Sequence, residues 1–316
     1  VEFTEEEKAC LRSLFITDPT EDKNSLKRRK GDRAFGTCSW IFETEELQHW
    51  LGLSTYNDQE ERSMLWLYGN PGTGKSTMAI TLSEELPSKP YFQNGSKTIA
   101  YFFCDSSSDV NRTAISVLRG LLYQLVKQHP TLMKHLLPRY IERKDRLFGS
   151  FDALWDILLE IAKNSDAMEF YYIIDALDEC EPNSQETLFE QIHQTFRNPN
   201  SKVSAPSNMH VLITSRPYHE IRRSLSTFRS KDLATYEAVA SDLRKVIQEK
   251  VDVLHKRNRY PKALIADISR VLEDKAEGTF LWVGITCDEL AQVQSRNALK
   301  TLQALPRGLN SLYQKS

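Results

Sequence analysis

Leu67-Tyr-Gly-Asn-Pro-Gly-Thr-Gly-Lys-Ser-Thr-Met78 is the stretch that decides the fold. Its centre, Gly69 to Ser76, fits G-x-x-x-x-G-K-[ST] in full, between a short apolar run and a helical pattern. Phosphate binding needs that layout. Gly69, Gly72 and Gly74 let successive main-chain N–H groups turn inward without Cβ clashes, while Asn70, Pro71 and Thr73 fill the turn. The helix that follows adds the positive end of its dipole. Lys75 is expected to reach the β- and γ-phosphates of a nucleotide, Ser76 to ligate Mg²⁺, and Thr77 to meet the α-phosphate side.

Two further stretches complete the constellation. In Phe170-Tyr-Tyr-Ile-Ile-Asp-Ala-Leu-Asp-Glu-Cys180 five apolar residues form a buried strand that delivers Asp175 at its C-terminal end. Ligands of open α/β sheets bind at that end. A carboxylate there can hold Mg²⁺ beside Ser76. Asp178 and Glu179 follow within one short turn, and one of them is placed to orient or deprotonate an attacking water. In Val211-Leu-Ile-Thr-Ser-Arg-Pro217 a strand ends in polar residues, with Arg216 just before a proline. An arginine there can sense a γ-phosphate or stabilise developing charge.

Around these stretches the chain alternates. Met64 to Tyr68, Thr98 to Cys104, Phe170 to Ile174 and His210 to Thr214 read as strands, with a fifth near Leu233 to Tyr236. Helical periodicity separates them, as in Ile115, Leu118, Leu121, Leu122 and Leu125, or Leu154, Ile157, Leu158 and Ile161. Such alternation implies a parallel sheet covered on both faces. Thr4-Glu-Glu-Glu7 reads as a capping box opening a first helix that Asp18-Pro19 ends, and Trp40 to Phe42 with Leu47 to Leu51 as a helix pair. The basic stretch Lys23 to Arg33 reads as a solvated helix face, with phosphate contact or nuclear import as alternatives. Ser54 to Ser63 reads as a polar linker and Asn198 to Asn208 as a surface loop. From Ser241 onward only helices are expected: Leu243 to Leu254, Ala263 to Leu272, Phe280 to Val293, and a last one near Leu309. The division is a helical flanking segment over 1–61, a nucleotide-binding core over 62–238 and a helical lid over 239–316.

Composition narrows the function classes. Charged residues make up 27% and hydrophobic residues 40% of 316, with a net charge of −2, ordinary values for a globular chain. That balance argues against coating nucleic acid or an anionic membrane, and no apolar run reaches spanning length. Five scattered cysteines without C-x-x-C spacing fit a reducing compartment, hence a cytoplasmic protein. The chain begins at Val1 and reads as a fragment.

The three motifs in this order resemble the NACHT family of signal-transduction NTPases, the STAND group of AAA+-like P-loop proteins. Asp-Ala-Leu-Asp-Glu (175–179) is similar to the family's D-[GAS]-hydrophobic-[DE]-[DE] form, and Thr-Ser-Arg-Pro to its sensor strand. Thr17-Asp-Pro19, Asp22-Lys23, Lys30-Gly31 and Cys38-Ser-Trp-Ile-Phe42 resemble the segment before the phosphate loop in NACHT proteins of filamentous fungi. Leu118 to Leu125, Gly278 to Val283 and Leu305-Pro-Arg-Gly-Leu309 resemble further blocks. The resemblance implies a P-loop NTPase (AAA+-like) five-stranded parallel sheet flanked by helices, followed by an all-helical lid. It also implies ATP or ADP (GTP as an alternative) with Mg²⁺ in the cleft between them, an effector domain before this segment, a repeat sensor after it, and self-association through the NTPase module. Where relatives carry Gly-x-Pro against the adenine, this chain has Gly278-Thr-Phe, so Phe280 either stacks on a purine or belongs to the lid core. Where relatives carry Gly-Arg near the base, this chain has Gly36-Thr37. Two functional readings follow: a slow, hydrolysing switch, or a nucleotide-gated scaffold that does not hydrolyse. A nucleic-acid-dependent motor is disfavoured by the near-neutral charge.

Overall fold

The computed structural model describes residues 3–54, 62–93, 95–165, 167–197 and 206–309. The segments 55–61 and 198–205, which hold most of the expected linker and surface loop, lie outside the described residues.

The chain opens with α1 (Glu5–Leu14), whose capping box is formed as expected: Thr4 Oγ1 accepts from Glu7 N, and Glu7 returns the bond to Thr4 N. The helix stops at Leu14, five residues before Pro19. Asp18-Pro19 does more than separate segments. Asp18 accepts from Thr20 N and Pro19 takes the first position of α2 (Pro19–Lys30), where its missing N–H costs nothing. The expected helix pair resolves into a short 3-10 turn over Ser39–Glu43 and α3 (Glu45–Trp50), because Thr44 ends one and caps the other.

The sheet then forms from β1 (Met64–Tyr68), β2 (Lys97–Phe103), β3 (Glu169–Asp175), β4 (Met209–Ser215) and β5 (Arg229–Asp232), all parallel, in the order β2-β3-β4-β1-β5. This is the AAA+-like P-loop arrangement, with β4 between the strands that precede the phosphate loop and the acidic turn. The fifth strand is displaced from its expected position. Leu233–Thr235 forms a 3-10 turn instead, and the edge position goes to Arg229-Ser-Lys-Asp232, whose half-buried polar residues suit a sheet edge.

Strand alternation distributes the core between two faces. Trp66, Phe102, Tyr172, Ile174, Val211 and Ile213 pack with α1, α5 (Ala114–Gln128), α6 (Met133–Arg143), α7 (Phe151–Lys163) and α8 (Pro182–Phe196). Leu65, Leu67, Tyr101, Tyr171, Ile173 and Leu212 pack on the other face with α3 and α4 (Lys75–Glu85). Each fully buried large apolar side chain contributes about 1.5–3 kcal/mol of transfer free energy. After α9 (His219–Leu225) come α10 (Glu237–Asn258), α11 (Lys262–Lys275), α12 (Phe280–Leu290) and α13 (Ser295–Ala304). Leu243, Ile247, Trp282, Val283 and Leu302 belong to a separate cluster drawn from this C-terminal segment. Leu305-Pro306 ends α13, and Gly308 and Leu309, the last described residues, are again helical, where a last helix is expected.

Candidate functional site

All three motifs meet at the C-terminal edge of the sheet. β1 ends at Tyr68 and the chain turns through Gly69–Gly74 into α4, whose N-terminus lacks a side-chain cap. Gly72 and Gly74 have φ values of 77° and 91°, a region that only glycine enters without strain. The first N–H groups of α4 have no intrahelical acceptor, so the helix start is a cradle of free donors. Lys75, half-buried, bends back and donates to the carbonyls of Gly69 (2.7 Å) and Asn70 (3.0 Å). Burial lowers its pKa, the charges of Asp178 and Asp175 oppose that, and Arg216 and Lys30 add to it. An anion between these cations would relieve both effects.

Asp175 is the floor of the site, buried to 1% exposure. Thr214 Oγ1 donates to its Oδ1 across 2.5 Å and accepts from Ala176 N at 3.0 Å, so the sensor strand aims the carboxylate. Ser76 also donates to Asp175. Burial raises the Asp175 pKa in spite of those two bonds and the nearby Lys30 and Lys75. A buried carboxylate held beside a helix-start hydroxyl is a hard-oxygen donor set of the kind Mg²⁺ takes. Ser76 and Asp175 therefore fit the metal expected there.

The two residues of the acidic turn have different tasks. Ala176 enters the left-handed region at φ 54° and starts the 3-10 turn Leu177–Glu179. Asp178, its side chain only 3% exposed, accepts from the main-chain N of Arg216 at 3.0 Å and pairs with Arg216 Nε at 3.2 Å. Arg216 Nη1 also donates to Tyr218 Oη at 2.9 Å. Burial would lower the Arg216 pKa, but Tyr218 and Asp178 outweigh it and leave the guanidinium more firmly charged. Among the described residues the Glu179 carboxylate by contrast accepts only from the main-chain N of Ser106, at 3.3 Å. Burial raises its pKa, with the charges of Asp178, Asp105 and Asp175 adding to the shift. Of the pair, Glu179 is the carboxylate with spare acceptor capacity and raised basicity.

The C-terminal helices cover the loop directly. Phe280 N donates to Gly72 O at 2.9 Å, and the Phe280 ring stands 3.6 Å from where a Cβ on Gly74 would lie. Phe280 thus lies on the phosphate loop itself and packs partly against the C-terminal cluster. Gly36 and Thr37 sit on a segment bound to α10. Thr37 is buried and its hydroxyl donates to Ala34 O at 2.8 Å, leaving it turned inward. Gly36 O accepts from Lys245 Nζ at 2.6 Å. Thr77 sits in the first turn of α4, its carbonyl accepting from Thr81 Oγ1.

Sequence reasoning missed Asp242. Its Oδ2 accepts from Cys38 N (2.6 Å) and Trp40 Nε1 (2.8 Å), tying the segment before the loop to α10. A carboxylate at a core-facing helix position was the available signal. All five cysteines are free and buried; Cys180 and Cys104 approach to 3.2 Å behind the acidic turn.

Residues 36–216 match the family model described as Nephrocystin 3, N-terminal. The chain is 31% identical over 313 residues to vegetative incompatibility protein HET-E-1 of Podospora anserina, covering 96% of this chain and 22% of that protein. Among solved structures it aligns with C. elegans PCH-2 at TM-score 0.42 and 12% identity, over 88% of this chain and 68% of the other. It aligns with Aeropyrum pernix ORC2, solved as ADPNP-ADP complexes, at TM-score 0.42 and 13% identity, over 77% of this chain and 62% of the other. More than half of the chain lies within the family match, and its motifs stand in the same segment: the chain belongs to the nephrocystin 3 N-terminal family, a NACHT-related group of P-loop proteins.

Proposed function

We propose that this chain is the nucleotide-binding switch of a fungal NOD-like receptor, holding ATP or ADP with Mg²⁺ and hydrolysing slowly. The observation that carries the reading is the direct seating of the lid on the phosphate loop through Phe280 and Gly72. A lid that touches the element meant to hold phosphates is sensitive to what they contain. The main-chain donors at the start of α4 and Lys75 would hold the phosphate chain; Ser76 and Asp175 would hold Mg²⁺, which supplies charge neutralisation. Arg216, kept charged by Asp178 and Tyr218, reads the extra charge of a triphosphate, and Glu179 takes the proton of the attacking water.

Lid opening with triphosphate, self-association through the exposed module, an effector domain upstream and a repeat sensor downstream complete the proposal. Moving a two-state population from mostly closed to mostly open takes about 5 kcal/mol of differential affinity. A few charge-assisted hydrogen bonds at about 1.5–3 kcal/mol each supply it.

Calorimetry with ATP and ADP on the wild-type chain and on Lys75→Ala tests the reading. The variant is expected to lose most affinity for both; unchanged binding would overturn it. Single-turnover hydrolysis and light scattering with ATP and a non-hydrolysable analogue then separate the two functional classes. Phosphate release with ATP supports the slow enzyme, and equal assembly without release makes the chain a nucleotide-gated scaffold.

A further inference from the structure

Arg216 and Tyr218 stand on either side of Pro217, and each is anchored by a different element. Arg216 directly follows β4, and the proline after it holds its backbone away from the helical region. The carbonyl of Ser215, one residue earlier, accepts from Gly69 N at 3.3 Å. Arg216 therefore leaves the sheet beside the first glycine of the phosphate loop. Tyr218 precedes α9, which Ile221 and Leu225, at 1% and 0% exposure, fix to the core. Pro217, with its φ set by the ring, leaves the spacing of the pair little freedom.

The Arg216 guanidinium is held at two of its nitrogens. Nε pairs with Asp178 at 3.2 Å, and Nη1 donates to Tyr218 Oη at 2.9 Å. One contact at Nε leaves the planar fork free to pivot about the Cδ–Nε bond; a second at Nη1 stops it. No hydrogen bond among the described residues uses Nη2. Burial does not explain where Tyr218 stands. Its side chain is half-exposed and belongs to none of the apolar clusters among the described residues.

We propose that Tyr218 is a positioning residue for Arg216: its hydroxyl fixes the guanidinium and leaves the N–H groups of Nη2 for the terminal phosphate of a nucleoside triphosphate. A fork already oriented loses less freedom when that phosphate arrives. The gain goes to the triphosphate alone, because the diphosphate lacks the group. Tyr218 thereby sets discrimination between the two nucleotides without touching either. The inference rests on the reading of Arg216 given above, and the experiment separates the two.

ADP and a non-hydrolysable triphosphate analogue, each with Mg²⁺, are titrated calorimetrically into wild type, Tyr218→Phe, Arg216→Ala and the double variant. Phenylalanine keeps the ring, whose centroid lies 6.0 Å from the Arg216 guanidinium carbon, and removes only the hydroxyl. Tyr218→Phe is expected to lose about 3- to 5-fold for the analogue and less than about 1.5-fold for ADP. With Arg216 already replaced by alanine the same change should cost nothing, because the tyrosine acts through the arginine. In the nucleotide-free protein, NMR relaxation of the Arg216 Nε–H pair should show a more mobile guanidinium in Tyr218→Phe. Unchanged mobility, unchanged or increased affinity for the analogue, equal losses for both nucleotides, or the same loss without Arg216 would each overturn the assignment. A selective loss in Arg216→Ala beside a wild-type Tyr218→Phe removes Tyr218 alone and leaves the reading of Arg216 standing. No selective loss in Arg216→Ala removes both. Thermal midpoints identify a variant that folds poorly; Arg216→Gln, which keeps part of the stem, then takes the place of Arg216→Ala in the cycle.

Discussion

The main-chain amide of Phe280 donates to the carbonyl of Gly72 across 2.9 Å, joining the start of α12 to the middle of the phosphate loop. Gly72 makes that approach possible. A Cβ at this position would stand 2.7 Å from Thr279 Cγ2 and 2.8 Å from Leu281 Cβ, and the backbone φ of 77° is itself costly for any other residue. The lid and the loop are therefore fitted to each other, and a change in either is felt by the other.

Gly72→Ala should lift the lid. The added methyl meets two side chains of the α12 start, and relief is easiest by separating the surfaces. A loss of about 1–3 kcal/mol is expected. Hydrogen exchange should rise at the N-terminal turn of α12 and in α4 while the sheet stays protected. Unchanged exchange at α12 would show that the contact does not hold the lid.

Glu179→Gln should stop phosphate release while leaving nucleotide affinity within about 2–3-fold, because among the described residues the Glu179 carboxylate has no hydrogen-bond partner beyond Ser106 N. Asp178→Asn should behave differently. It weakens the hold on both the main chain and the guanidinium of Arg216, so triphosphate affinity and hydrolysis fall together. Hydrolysis should also fade on the acid side at a higher pH than an ordinary glutamate would dictate. A general base must be ionised, and burial with three carboxylate neighbours raises the Glu179 pKa. Single-turnover rates across pH, with equal acid limbs for wild type and Glu179→Gln, would remove Glu179 from catalysis.

Much of this site was legible in the chain because its parts are local. Lys75 and Ser76 sit at fixed offsets within one loop, and Asp175 ends a run whose apolar content marks a buried strand. What stayed hidden depends on distant residues meeting. Thr214 and Asp175 are 39 positions apart, Asp242 and Cys38 204 apart, and no periodicity links either pair. The edge strand Arg229–Asp232 carries no apolar signal, since an edge needs ladder bonds rather than burial. The split between Asp178 and Glu179 likewise waits on where Arg216 arrives.

Asp242→Ala should loosen the segment before the loop from α10. It removes the acceptor shared by Cys38 N and Trp40 Nε1 and leaves one donor buried and the other half-buried without it, at a cost of about 2–4 kcal/mol. Trp40, whose ring lies tilted against Tyr236 with centroids 4.7 Å apart, should report the change as a red-shifted, more quenchable fluorescence. A wild-type spectrum and melting point would show the tie to be dispensable.

Asp175→Asn should stabilise the metal-free protein and abolish its stabilisation by Mg²⁺ and nucleotide. Burial raises the folded-state pKa of Asp175 above its ordinary 3.8. Below the ordinary value the carboxyl is protonated in both states and costs nothing. As pH rises through the shifted value the folded protein must ionise a buried group, so stability falls and the penalty persists to neutrality. Asparagine keeps the shape and carries no charge, which should raise Tm by roughly 2–4 °C per kcal/mol recovered and flatten its pH dependence in chelator. With Mg²⁺ and ATP the order should invert, because the wild-type carboxylate then has a cation to answer it. Melting curves from acid to neutral pH, with chelator and with Mg²⁺–ATP, read both effects. An Asn variant that is less stable in chelator would mean that Asp175 holds the sheet edge together rather than waiting for a metal.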